Sequence, residues 1–239
     1  MIELKPEGLA DAAAEPVAVC GRQFVADKSG ALYWPSQRTL LVADLIPESG
    51  AAGRGNGHAP PPAADLRQTL VRLAEAMDHY EPARVIALGD GGGNGTAAPG
   101  LAADSLEILR ILQEEREWIW LTGRPHADIA PQLGGIACSE LEVSGLTLRH
   151  RPTPSWATHE IAASLRPAAR LSLYGSSLRR ACFVGNGRRL VMPAFAAFHD
   201  GRNVLDHAFR PLFGGSAMSV WLLGHGGLYP VATRLLAGD

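Results

Sequence analysis

The sequence has few cysteines, no long apolar run and no strong excess of charge. Its three cysteines, Cys20, Cys138 and Cys182, are far apart and lack CxxC spacing, which argues against a disulfide framework or a zinc knuckle. No apolar stretch approaches the roughly 18 residues of a membrane span, and no basic-then-apolar leader pattern opens the chain. The net charge of −2 gives no overall basic footprint for nucleic acid, although a local groove can lie inside a neutral average. We therefore expect a cytoplasmic protein without a membrane partner.

The first half of the chain alternates between strand and helix patterns. Its 239 residues, 46% of them hydrophobic, are enough for a sizeable core. Apolar runs predict buried strands at 39–44, 83–90 and 117–123. Helical spacing predicts helices at 65–80 and at 104–116, the second capped by Asp104 or Ser105. This order predicts an α/β unit of parallel strands whose carboxyl ends meet at one edge of the sheet.

The second half is richer in strands. The segment 139–150 is typical of a hairpin that turns at Ser144-Gly145, and 169–195 predicts further strands joined by a two-residue turn at Asn186-Gly187. No linker separates the halves, so we predict one α/β domain over 1–239.

Polar residues follow several of these strands. Asp44, Asp90, Arg124 and His150 each stand where an apolar run stops. Two carboxylates and an imidazole that converge at a sheet edge are typical ligands of a divalent metal. Strand-end aspartates are, however, more often turn or cap residues. Spacing alone leaves both interpretations open.

Several segments resemble a known family. They are "GALYWPSQRTLLVADL", "PARVIALGD", "EREWIWLTG", "LRHRP", "RRACFVGNGRRLVMPAF" and "NVLD". In this order they resemble the calcineurin-like metallophosphoesterases, and most closely the bacterial ligase-associated DNA damage response phosphoesterase/endonuclease family. The resemblance runs from about residue 22 to residue 232.

The resemblance implies a four-layer α/β sandwich, with two facing mixed sheets flanked by helices. It also implies hydrolysis of phosphate mono- or diesters by two divalent metals, such as manganese, that share a bridging aspartate. Metals of this kind lower the pKa of a bound water and polarise the phosphoryl group. By family analogy, nucleic acid is a possible partner.

The family's metal-site motifs are incomplete in this chain. Carried over position by position, three of the seven metal ligands are kept: Asp44, Asp90 and His150. The D-x-H motif ends in Ile46 instead of histidine. The loop that supplies an amide ligand and the general-acid histidine has Arg124 and Pro125 at those places. The last two ligand histidines correspond to Ser164 and Arg166.

These departures predict a pseudoenzyme without a metal cofactor, kept as a binding or scaffold protein. Each metal would retain only two protein ligands, which gives little advantage over water. Without the metals, buried Asp44 and Asp90 would repel each other. We hypothesise that Arg124 and Arg166 replace the metals electrostatically by pairing with these carboxylates. The alternative is that both arginines point to solvent.

Two further interpretations concern ligands and activity. Arg54, Arg124 and Arg166 together would form a small pocket for a phosphate-containing ligand. An active phosphoesterase with a rearranged or single-metal site would need substitute ligands, for which His126, Asp128 and His159 are the nearest candidates. A hydrolase that uses no metal has no support, because the sequence lacks G-x-S-x-G and a Cys/His pair at a strand end.

Overall fold

The computed structural model describes residues 13–46, 62–89, 101–122, 133–173, 176–196 and 201–239. Within these ranges, seven strands form the first sheet in sequence order. They are β1 (Ala14–Val19), β2 (Arg22–Asp27), β3 (Leu32–Trp34), β4 (Thr39–Ala43), β5 (Arg84–Leu88), β6 (Glu117–Leu121) and β7 (Ile136–Cys138). Strands β1 to β4 pair antiparallel, whereas β4 to β7 pair parallel.

The second sheet is built from the strand-rich half. Its strands are β8 (Glu140–Val143), β9 (Leu146–Arg149), β10 (Glu160–Ala162), β11 (Pro167–Leu173), β12 (Ser176–Gly185), β13 (Arg189–Val191), β14 (Arg202–Asn203), β15 (Ser219–Leu223), β16 (Leu228–Val231) and β17 (Leu236–Ala237). The main path runs β14-β11-β12-β13-β10-β9-β8, and β15 to β17 attach beside it. The parallel pairs β9–β10 and β10–β13 make it a mixed sheet.

The two sheets face each other across a shared apolar core. Alternate residues of the parallel strands point inward, including Leu41, Ile86 and Leu121, and they pack in one cluster with Ile161 and Phe183 of the second sheet. The neighbouring residues of β4, β5 and β6 point the other way. This two-faced burial explains the continuous apolar runs of the parallel strands.

Helices cover the outer face of the first sheet. They are α1 (Pro62–Tyr80) and α2 (Ala103–Gln113). Their apolar stripes, with Leu70 and Leu109 among the buried residues, pack against Trp118 and Trp120. On the outer face of the second sheet lies the short helix α3 (Arg210–Phe213), which adds Leu212 to a third apolar cluster. Two facing mixed sheets flanked by helices are the predicted α/β sandwich. Among the described residues, no helix is long and apolar enough to cross a membrane.

Two local predictions are wrong. The N-cap residue of helix α2 is Ala102, which makes no side-chain cap hydrogen bond, and not Asp104 or Ser105. Asp104 lies in the first turn, where its charge suits the helix dipole. The hairpin between β12 and β13 turns around Gly187 and the residue after it, because Asn186 pairs through its N–H with the Arg189 carbonyl at 3.1 Å. Gly187 takes the positive φ, 80°, and the Asn186 side chain caps the turn.

Candidate functional site

The carboxyl ends of four strands, two from each sheet, meet at one edge of the sandwich. Strand β4 ends at Asp44, whose N–H donates to the Leu88 carbonyl at 2.9 Å and so continues the ladder to β5. Strand β9 ends at His150, and the His150 carbonyl accepts from Ala163 N–H at 2.9 Å, beyond β10. Parallel pairing of β4 with β5 and of β9 with β10 therefore places these strand ends side by side.

Asp44 and His150 form a buried pair between the sheets. As whole residues, Asp44 is about 4% exposed and His150 about 9%. His150 Nε2 lies 3.1 Å from Asp44 Oδ1, within hydrogen-bond distance. Asp44 takes a left-handed φ of 47°, which turns the chain out of β4 at this point. A non-glycine residue in this region stores strain of a kind that clusters at functional sites.

Arg166 is the third member of the site. Its Nε lies 3.4 Å from Asp44 Oδ2, so a guanidinium stands where the resemblance would put a metal ligand. This is the contact that the electrostatic-replacement hypothesis requires at Asp44. The Arg166 side chain is about 21% exposed, so one side of it is open to solvent. Arg166 and Ser164 also have left-handed φ values, 48° and 67°, and the segment between β10 and β11 is sharply bent.

Gly89 lets these groups approach each other. It follows β5 with a φ of 115°, a conformation that L side chains rarely adopt. A Cβ at this position would lie 2.9 Å from His150 Nε2 and 3.2 Å from Asp44 Oδ1. The glycine is therefore required both by the backbone and by the close contact of the Asp44–His150 pair.

The described part of the chain does not supply a two-metal centre. No group of three or more histidine, cysteine or acidic side chains is placed to hold a metal within it. Ile46, at the position of the lost histidine, is about 1% exposed and packs in the helix-side core. Asp44 and His150 offer two ligating atoms, and Arg166 brings a positive charge to the same carboxylate. These two ligating atoms of the described residues are by themselves too few for two divalent cations.

The other predicted site residues have different outcomes. Asp90, Arg124, His126, Asp128 and Arg54 lie outside the described residues, so their placement stays a prediction. His159 is exposed and lies just before β10, with its carbonyl accepting from Thr147 N–H at 3.2 Å, so it is not brought to the site.

A second buried charge cluster was missed from the sequence. Glu160, with no exposed surface, pairs with Arg189, which is about 1% exposed, at 2.8 Å. The Arg189 guanidinium also donates to the carbonyls of Leu212, Thr153 and Ser155 at 2.7, 2.9 and 2.8 Å. Burial lowers the pKa of Arg189, and the Glu160 charge opposes that shift. The available signal was a charged residue beside short apolar runs, "EIAA" and "RLVM".

Comparison with known proteins supports the fold. Among solved structures, the chain is similar to the crystal structure of the Pseudomonas putida nuclease MPE, with a TM-score of 0.68 and 23% sequence identity. The match covers 91% of this chain and 100% of that chain. No family model and no curated protein matches the sequence. The likeness shows that this chain shares the fold of that nuclease, and its two mixed sheets flanked by helices are consistent with the predicted metallophosphoesterase sandwich.

Proposed function

We propose that this chain is a metallophosphoesterase-fold protein that has lost two-metal phosphoester hydrolysis and acts in the cytoplasm as a binding or scaffold protein. The supporting observation is the Arg166–Asp44 ion pair, 3.4 Å between Nε and Oδ2. A divalent cation and a guanidinium repel each other, so a cation at Asp44 would have to displace Arg166 first. The ligand we propose is a phosphate-containing molecule or a protein partner.

The proposal includes the biological setting that the resemblance suggests. The structural neighbour is a nuclease, and the sequence resembles the ligase-associated DNA-repair phosphoesterases. We therefore propose that the protein belongs to a bacterial DNA-repair setting, with nucleic acid as a candidate ligand class. The net charge of −2 places any such contact in a local patch and not over the whole surface.

A second candidate function is an active phosphodiesterase with a single metal. The Asp44–His150 pair favours it, since both ligating atoms are present and buried at 3.1 Å from each other. In this case Arg166 would move from Asp44 when manganese binds.

One experiment separates the two functions. The protein is incubated with manganese, passed through a desalting column and analysed for metal content, and the same sample is assayed with bis-p-nitrophenyl phosphate. The binding-protein proposal predicts far less than stoichiometric metal and no turnover. The Arg166→His variant is the matched comparison, because it removes the cation and restores an imidazole to the family pattern; we expect it to retain more manganese. Stoichiometric metal with turnover in the unmodified protein would sink the proposal in favour of the single-metal enzyme.

A further inference from the structure

A cavity beside Arg166 has a strongly basic lining. It has a volume of about 290 Å³ and is lined by five basic side chains, Lys28, Arg72, Arg166, Arg180 and His225. No aspartate or glutamate is among the described residues that line it. The chain as a whole has more acidic than basic residues, 24 against 22, so this concentration of one sign does not follow from the composition.

The five basic side chains come from separate parts of the fold. Lys28 lies in the turn between β2 and β3, Arg72 on α1, and His225 in the hairpin between β15 and β16. Arg180 lies on β12, opposite Ala169 of β11, and its side chain is exposed. The cavity therefore lies where the first sheet, its helix and the second sheet meet. A concave wall lined by one sign of charge focuses the electrostatic potential and attracts counter-ions.

Arg72 connects this cavity to the strand-end site. Its guanidinium carbon lies 4.7 Å from the centre of the Phe195 ring, a cation–π contact. Phe195 is fully buried, and its N–H donates to the carbonyl of Ala43, the residue before Asp44. The Arg72 head group is thus held against a rigid part of the core. A pre-positioned guanidinium loses less conformational entropy when it binds an anion.

We propose that this cavity, which we call the basic cavity, binds the phosphate group of a small phosphate-containing ligand without any metal. Guanidinium groups bind phosphate oxygens through paired, charge-assisted hydrogen bonds, which suits Arg166 and Arg180. Lys28 adds a positive charge to the lining, and His225 adds an imidazole. The inference rests on the proposed function, because it requires that no metal displaces Arg166. In addition to its contact with Asp44, Arg166 then serves as an anion-binding group.

A neighbouring cavity offers room for the rest of an ester. This second cavity, of about 550 Å³, shares Lys28, Arg72 and His225 with the basic cavity, so the two adjoin. Its remaining lining includes the carboxylates of Asp27 and Glu75 and the ring of Tyr80, whose hydroxyl donates to Asp27 at 2.9 Å. These groups suit hydroxyl or amino donors and a ring of an organic moiety, not a second phosphate. A nucleoside monophosphate is one probe with this division of charge.

The test is calorimetric titration in buffer that contains EDTA, at constant ionic strength, with inorganic phosphate and with adenosine 5′-monophosphate. We expect both to bind, and the Arg180→Ala variant to weaken binding about tenfold, as loss of one charge-assisted contact does. Lys28→Ala should weaken it less, because Lys28 is a more hydrated, exposed point charge. Both residues are exposed and outside the core, so the variants should fold normally.

The control is Arg188→Ala. Arg188 is exposed in the turn between β12 and β13 and does not line the basic cavity, yet its loss changes the net charge by the same amount. We expect it to leave phosphate affinity within about twofold. Tighter binding of the ester assigns the second cavity to the organic moiety, and equal binding assigns the basic cavity to free phosphate; either supports the proposal. Absence of phosphate binding in EDTA, or equal weakening by Arg188→Ala, would overturn it. Failure of the proposed function would be seen in a different experiment, the manganese-binding and turnover assay.

Discussion

Asp44 and Glu160 are two buried carboxylates that differ in their hydrogen-bond partners and in how open their surroundings are to solvent. Glu160 has no exposed surface; its Oε1 accepts from Arg189 at 2.8 Å and from Thr153 N–H at 3.0 Å. Asp44 has contacts of 3.1 Å to His150 and 3.4 Å to Arg166, the second long for a charge-assisted hydrogen bond. Among the contacts of the described residues, those of Glu160 are shorter and closed to solvent, whereas those of Asp44 are longer and involve Arg166, a side chain that is about 21% exposed.

The difference follows from what each cluster holds together. Arg189 donates to three backbone carbonyls, two of them in the segment between His150 and β10 and one in α3. It therefore fixes the chain that follows His150 onto the second sheet. Around Asp44 the backbone instead contains three left-handed non-glycine residues, Asp44, Ser164 and Arg166. Strain of this kind lowers stability and is retained where geometry matters for a ligand. The Glu160 cluster therefore supports the structure, and the Asp44 cluster is the better candidate for function.

The largest effect should come from opening the Glu160 cluster. Replacement of Arg189 by methionine keeps an apolar stem but removes the nearest cation from buried Glu160, which among the described residues then retains only the cation of Arg149, with Nε at 3.5 Å. We expect a cost of about 3 kcal/mol, the low end for breaking a buried ion pair. Urea unfolding followed by circular dichroism measures this loss. The double variant Arg189→Met with Glu160→Gln removes both charges, so we expect it to recover part of the stability. A loss below about 1 kcal/mol for the single variant would show that the closed cluster is not a structural anchor.

The next largest effect should come from Gly89→Ala, which tests how tightly position 89 packs against the Asp44–His150 pair. The added methyl group would meet His150 Nε2 at 2.9 Å while the backbone stays at a φ of 115°. Strain and overpacking together should cost about 2–4 kcal/mol. The matched control is Gly187→Ala, where φ is also positive, 80°, but nothing lies within 4 Å of the new Cβ. Equal losses for both variants would show that backbone strain alone is responsible and that the pair tolerates displacement.

Arg166→Ala tests whether the arginine stabilises Asp44 electrostatically. Its removal takes a positive charge from a carboxyl that is about 5% exposed, which should cost about 1–2 kcal/mol of unfolding free energy. If the vacated space instead accepts a cation, manganese should raise the melting temperature of the variant and not that of the unmodified protein. Arg188→Ala serves again as the charge-matched control. If the variant neither loses stability nor gains manganese binding, the idea of electrostatic replacement is wrong.

The sequence was sufficient for the parallel strands because each is buried on both faces. Continuous apolar runs such as "TLLVA" can only be satisfied inside a layered structure, and the structure has them at β4, β5 and β6. Their ends were less predictable: the runs predicted to 90 and to 123 stop at Leu88 and Leu121. Gly89, with its positive φ, lies just beyond the first of these ends.

Site residues could be predicted from the sequence only where a local pattern marks them. Asp44 and His150 were recognisable because each stands at the end of an apolar run. The Arg166–Asp44 contact joins residues 122 positions apart on different sheets, and only the resemblance pointed to it. Glu160 with Arg189 and the basic cavity have no local signature, since their side chains come from elements that meet only in the folded chain. Tertiary packing decides which charged residues are buried, and spacing along the sequence does not encode it.

The smallest effect should come from a third carboxylate, Glu117, because it is exposed to solvent. Glu117 at the start of β6 accepts from Arg84 Nε at 2.6 Å, the shortest of the three distances to an arginine. Its side chain is about 44% exposed and that of Arg84 about 30%, so both groups are hydrated in either state. We expect Arg84→Ala to cost only about 0.2–1 kcal/mol, measured by the same urea titration and reduced further in high salt. A cost comparable to that of Arg189→Met would mean that distance, and not burial, ranks these pairs. In this protein burial should decide, because water can hydrate Glu117 once Arg84 is removed, whereas Glu160 has no exposed surface and is left with the more distant Arg149 when Arg189 is removed.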